Sequence, residues 1–192
     1  MPRPTRAAAN PRALDVAMFC REGASLRGQW RQAELARLAG SVRLGDDGFA
    51  EAAIEWAAAG HLQTRPGSAP QCVIELRAHT QTVLDCQRCL QPMVVPVQVE
   101  RRFLFVEGED EAARLDEELD DDVLALTARL DLRELVEDEL LLALPLVPRH
   151  EVCPDLPAAL HAPAAGQGEE ASAEAAQPHP FAALAALRRP KG

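Results

Sequence analysis

Cys86-Gln87-Arg88-Cys89-Leu90-Gln91-Pro92 sets a Cys-x-x-Cys turn between two runs that both read as β-strands, Cys72 to Leu84 and Val94 to Val106. A redox pair of the thioredoxin kind puts its first cysteine at a helix N-terminus, where the dipole lowers the thiol pKa, and neither flank here is a helix. The turn is therefore read as the tip of a β-hairpin. Two thiols on a tight loop supply half of a tetrahedral metal site, and the compact pair that would supply the rest is His150 with Cys153. Cys86, Cys89, His150 and Cys153 have the spacing of a closed Cys₃His zinc site, which would tie the hairpin tip to a later segment. The other reading leaves both thiols of the turn reduced and unligated, with Arg88 and the hairpin shape serving recognition. Arg88, with Arg101 and Arg102 on the returning strand within its reach, reads either as a basic cluster for a salt-sensitive phosphate contact or as ordinary surface charge.

A chain of 192 residues, 47% of them hydrophobic, is long enough for one domain with its own core. Two Trp, five Phe and no Tyr leave little material for stacking bases of single-stranded RNA. The net charge of −10 is concentrated: ten acids against Arg114 alone lie between Glu107 and Asp122, so the rest of the chain is close to neutral. That acidic insertion, 107–122, reads as a solvated mobile loop or as a grip on a basic partner. The start of the chain has no apolar leader and no window is apolar enough to span a membrane, which predicts a cytoplasmic protein with no membrane partner. Five cysteines, an odd number, argue against a secreted disulfide framework, and Cys20 and Cys72 read as small buried hydrophobes. No Gly-rich phosphate loop, nucleophile elbow or His-Glu-x-x-His pattern is present, so neither an enzyme nor a small-molecule substrate is expected.

Along the chain, residues 1–13 read as a flexible arm and 14–153 as a single domain. Asp15 caps a short helix through Cys20, Leu26 to Trp30 is a brief strand, and Gln32 to Leu38 a helical turn or two. Val42 and Leu44 alternate as a strand into a Gly45-to-Gly48 turn, with Phe49 to Ala58 returning. Pro96 marks an edge strand or a bulge. Val123 to Thr127 is a last short strand. Asp131 with Glu134 forms a capping box for a helix whose apolar stripe is Leu132, Leu135, Val136, Leu140 and Ala143, with Glu134, Glu137 and Asp138 on the solvent side. The expected fold is α+β: an antiparallel β-sheet of five to six strands, barrel-like or open, covered on one face by a few helices. Residues 154–177 read as a disordered linker, and 178–192 as a short amphipathic C-terminal helix whose stripe of Phe181, Leu184 and Leu187 docks on its own domain or on a partner.

Three separated blocks, Asp85-Cys86-Gln87-Arg88-Cys89, the run Glu134 to His150, and Pro178-x-Pro180-Phe181-Ala182-x-Leu184-x-x-Leu187, together closely resemble the bacterial YceD family, the large ribosomal RNA subunit accumulation proteins. The resemblance implies a cytoplasmic, non-enzymatic ribosome biogenesis factor that supports synthesis, processing or stability of large-subunit (23S) ribosomal RNA. Its implied partners are large-subunit precursor RNA, ribosomal proteins or assembly factors. Some relatives carry further cysteines after the Pro-x-x-Pro segment, completing a metal knuckle; here His150 and Cys153 stand there. The alternative is a zinc-binding or thiol-based protein-interaction module not tied to ribosomes.

Overall fold

The computed structural model describes residues 10–43, 52–64, 70–119 and 121–154. In chain order these form helix α1 (Val16–Arg21), strand β1 (Ser25–Arg31), a 3₁₀ turn (Gln32–Glu34), α2 (Ala36–Ser41), β2 (Ala53–Gln63), β3 (Gln71–Asp85), β4 (Pro92–Val106), α3 (Glu109–Glu118), β5 (Asp122–Ala125) and α4 (Leu132–Leu142). The strands make one open sheet in the order β1-β2-β3-β4-β5. β1 to β4 are antiparallel neighbours, while β5 runs parallel to β4 because α3 carries the chain back across the sheet between them. The α+β expectation holds; the barrel-like form does not, since β1 and β5 remain separate edges. The turn at 45–48, most of the 1–13 arm, and nearly all of 154–177 and 178–192 lie outside the described residues.

Period-two patterning builds the main core. Ile54, Trp56, Ala58 and Gly60 of β2, Ile74, Leu76 and Ala78 of β3, and Val97, Val99, Phe103 and Phe105 of β4 point to one face. Helices α1 and α4 bury Phe19, Leu132, Val136 and Leu140 against them. Gly60 is glycine because a Cβ there would strike the Phe19 ring, coming within 2.9 Å of Cε1 and 3.2 Å of the Cys20 Cα. α1 therefore lies directly on β2. Trp30 and Trp56 stack with centroids 4.5 Å apart under the β1 edge.

The acidic insertion departs from its expected form as a loop. Most of it is α3, whose first turn carries Glu109, Asp110 and Glu111, favourable signs at a helix N-terminus. It covers the opposite face of the sheet, where Ala112 joins Val73, Leu104, Val106 and Val123 in a second core. Helices thus cover both faces rather than one. Several of its acids are paired within the fold: Arg114 bridges Glu111 and Glu118, and Asp116 accepts from the Val123 amide at 3.1 Å.

Glu137 is the other departure. Instead of facing solvent on α4, it is 7% exposed and its carboxylate accepts from the backbone N–H groups of Arg37 at 2.6 Å and Leu38 at 3.1 Å. α2 has Leu35 at its N-cap and no side-chain cap of its own, so α4 supplies the acceptor that the orphan amides need. Asp131 caps α4 as expected, accepting from Arg133 and Glu134, without the reciprocal bond from Glu134. Val42 follows α2 rather than a strand, and β2 starts at Ala53, later than Phe49.

Candidate metal centre

β3 and β4 are paired from Cys72↔Phe105 out to Asp85↔Pro92, a long ribbon whose far end is the Cys-x-x-Cys tip. β5 pairs only with Phe103 to Val106, so Pro96 lies where β4 is an edge and its missing N–H costs no ladder bond. At the tip the Cys86 amide donates to Gln91 O at 2.9 Å and the Leu90 amide to Cys86 O at 2.8 Å. Leu90, directly after Cys89, takes φ of 59°, a left-handed conformation unusual for a bulky side chain.

The segment after α4 meets this tip. Pro145 ends the helix run, and the Gln87 amide donates to Pro148 O at 2.8 Å. Cys86 Sγ then lies 3.8 Å from Cys153 Sγ, and Cys89 Sγ lies 3.4 Å from His150 Nδ1. The four ligand atoms all fall within 4.8 Å of one another. A tetrahedral zinc with Zn–S of about 2.3 Å and Zn–N of about 2.0 Å needs edges of about 3.8 Å between sulfurs and about 3.5 Å between sulfur and nitrogen. The measured pairs sit at those lengths. Cys86 and Cys153 are buried, Cys89 and His150 half-buried. The residues present fit a metal.

The thiols differ in charge preference. Burial pushes the Cys86 thiol up, but amides of Cys89, His150 and Arg88 point at it and together bring it down to about 5; the Arg88 and His150 nitrogens both stand 3.4 Å from its sulfur. Cys153 lacks such donors, and burial beside Cys89 and Cys86 raises it to about 11. One ready thiolate, Cys86, beside a thiol that resists ionisation, Cys153, is a state a divalent cation would resolve, since it would favour both as thiolates.

The other sequence-predicted residues separate. Arg88 is exposed at the tip, its guanidinium without an ion pair among the described residues. Arg101 and Arg102 are about 30 Å of strand away, at ~3.3 Å per residue, and do not join it. As strand neighbours they point to opposite faces: Arg101 reaches Glu139 at 3.0 Å and Asp122 at 3.9 Å, and Arg102 pairs with Asp121 and bonds Gln63. Arg101 ties the sheet to α4 and β5, and Arg102 ties β4 to the end of β2 and to the α3–β5 region. Phe181, Leu184 and Leu187 lie outside the described residues. Cys20 is buried and directs its thiol to Val73 O at 3.3 Å, as a small core residue, while Cys72 is half-buried. Sequence reasoning missed Glu137 and Glu139 as buried acids. Their signal was slight, since only the positions of Arg37 and Arg101 in space explain them.

A family model described as "Large ribosomal RNA subunit accumulation protein YceD" matches residues 74–188, from β3 through the tip, α4 and the metal-centre segment into the C-terminal stretch. A protein of Haemophilus influenzae named large ribosomal RNA subunit accumulation protein YceD is 32% identical over 126 residues, covering 62% of this chain and 68% of that relative. No solved structure matches. No helix among the described residues is long and apolar enough to cross a membrane.

Proposed function

Because the chain belongs to the YceD family, we propose that it supports accumulation of large-subunit ribosomal RNA as a non-enzymatic cytoplasmic binding factor, working through the tip of the β3–β4 hairpin. The observation that carries this reading is the convergence of Cys86, Cys89, His150 and Cys153 within 4.8 Å at the end of that ribbon. A hairpin tip free in solvent is a mobile element. The Gln87–Pro148 bond ties this one to the segment after α4, and a metal held by the four side chains would make it a fixed surface projecting from the sheet.

Zinc is the metal this donor set suits, three soft thiolates and one imidazole in tetrahedral disposition. Bound there, it would supply rigidity: four protein donors leave no position open for water or substrate. The chain's own residues do the rest. Cys86 receives the amides of Arg88 and His150, which fix the rotamer of its sulfur, and the Cys89 thiol meets His150 Nδ1. In this reading Arg88, exposed between the two cysteines, contacts a large-subunit precursor RNA, a ribosomal protein or an assembly factor. Arg101 and Arg102, neutralised by their own acids, contribute position rather than free charge.

The test is in-cell crosslinking and affinity recovery, comparing the native chain with a Cys86→Ser, Arg88→Ala, Cys89→Ser variant and reading RNA and proteins together. Recovery of large-subunit RNA or its proteins by the native chain alone supports the hairpin. Equal recovery by both chains removes the function from the tip.

A further inference from the structure

Resting on the reading that the hairpin tip is the working end, we infer that the aliphatic collar around Cys86, Cys89, His150 and Cys153 docks a protein partner, through an amphipathic segment whose apolar face is rimmed by carboxylates. Leu90 is 72% exposed, Leu146 fully exposed, Val147 53% and Val152 70%. Each stands within two positions of a residue that joins the two segments: Leu90 beside Cys89, Leu146 and Val147 before Pro148, Val152 between His150 and Cys153. The four side chains therefore belong to one end of the molecule. Single exposed aliphatics are ordinary, but a cluster on a rigid projection is the usual mark of a protein contact.

The chemistry of the rim selects the partner. Arg37, Arg43, Arg77, Arg101 and Arg102 all meet carboxylates of this chain. Arg88 and Arg149 are exposed at the tip and have no ion pair among the described residues, with Glu151 the nearby acid. Two free guanidiniums beside an aliphatic surface complement a segment with apolar residues at helical spacing and acids on its flanks. Single-stranded RNA fits less well. Residues 86–91 and 145–154 contain no Phe, Trp or Tyr, so bases would find only the two guanidiniums and His150, whose ring is engaged with Cys89 Sγ at 3.4 Å, to stack on.

The test uses the full-length zinc-loaded protein and three labelled probes read by fluorescence anisotropy. They are a helical peptide with Leu at i, i+3, i+4 and i+7 flanked by Glu, its twin with Lys for Glu, and a short single-stranded RNA. The Glu peptide is expected to bind about tenfold tighter than its twin. Leu146→Asp should lose that binding about tenfold with zinc content and melting unchanged, and the Arg88→Glu, Arg149→Glu double variant should prefer the Lys peptide. Equal affinity for the two peptides, indifference to Leu146→Asp, or binding of the RNA in place of both peptides overturns the inference. In cells, the large-to-small-subunit RNA ratio separates the two levels. A normal ratio in Leu146→Asp with a disturbed one in Cys86→Ser, Cys89→Ser sinks the docking inference alone, and a normal ratio in both sinks the hairpin reading beneath it.

Discussion

Cys86 Sγ and Cys153 Sγ lie 3.8 Å apart, the edge of a metal–thiolate tetrahedron, though 67 residues separate them in the chain. Purified from zinc-containing medium, the protein is expected to carry about one zinc per chain, with X-ray absorption giving three sulfur neighbours at about 2.3 Å and one nitrogen at about 2.0 Å. Cys153→Ser should lower zinc affinity at least ~10-fold, and a chelator should lower the melting temperature of the native chain by several degrees. Zinc content unchanged in Cys153→Ser would remove that residue from the ligand set.

Acid and base should act on different thiols of the metal-free chain. The Cys86 thiol is lowered from its ordinary 9.0 to about 5, its burial outweighed by amides of Cys89, His150 and Arg88. Its thiolate therefore stabilises the fold fully above pH 9, progressively less as pH falls, and not at all below about 5. Cys153 is raised to about 11 by burial and then by Cys89 and Cys86, so the stability it contributes as a thiol is present below 9 and lost as pH rises toward 11. Thiolate absorbance near 240 nm should show one group ionised by neutral pH and another only in strong base. All thiols titrating together near 9 would contradict this.

Glu137→Ala should cost about 2–3 kcal/mol, since it leaves the Arg37 and Leu38 amides without their acceptor and removes the partner of the Arg37 guanidinium. Glu137→Gln keeps one acceptor oxygen and should cost roughly 1 kcal/mol. Urea unfolding of both variants checks the order, and equal losses would show that charge rather than capping holds α2.

Gly60→Ala should destabilise by about 1–3 kcal/mol, because the new methyl group would overlap the Phe19 ring and crowd the Cys20 backbone. Phe19→Leu in the same chain should recover part of that loss. A Gly60→Ala protein as stable as the native one would mean that α1 does not sit on β2 as closely as described.

Much of the scaffold was legible because its signals are local. The alternation of Ile54, Trp56 and Ala58, the two flanks of the Cys-x-x-Cys turn, Asp15 before α1 and Asp131 before α4 each fix their element within a few residues. The convergence of Cys86, Cys89, His150 and Cys153 was legible too, since two cysteines on a turn and a His-x-x-Cys after a helix are a pattern of residue types. What could not be read depends on surfaces meeting in space. Ala112, Leu115 and Leu119 are too few among ten acids to announce a helix until Val73 and Leu104 offer a second core. Glu137 looks like any exposed helix acid until α2 presents bare amides to it. The reach of Arg88 to Arg101 failed for a simpler reason, the length of the paired ribbon.

The most direct measurement is the ratio of large- to small-subunit ribosomal RNA in a strain deleted for this gene and complemented in turn by the native chain, by Cys86→Ser, Cys89→Ser, and by Gly60→Ala. The last serves as a control for destabilisation away from the tip. The account predicts that the deletion lowers the ratio, that the native chain restores it, and that the cysteine variant does not, even at protein levels matched to Gly60→Ala. Full restoration by the cysteine variant would contradict a working hairpin tip, and an unaltered ratio in the deletion strain would contradict the role in large-subunit RNA accumulation itself.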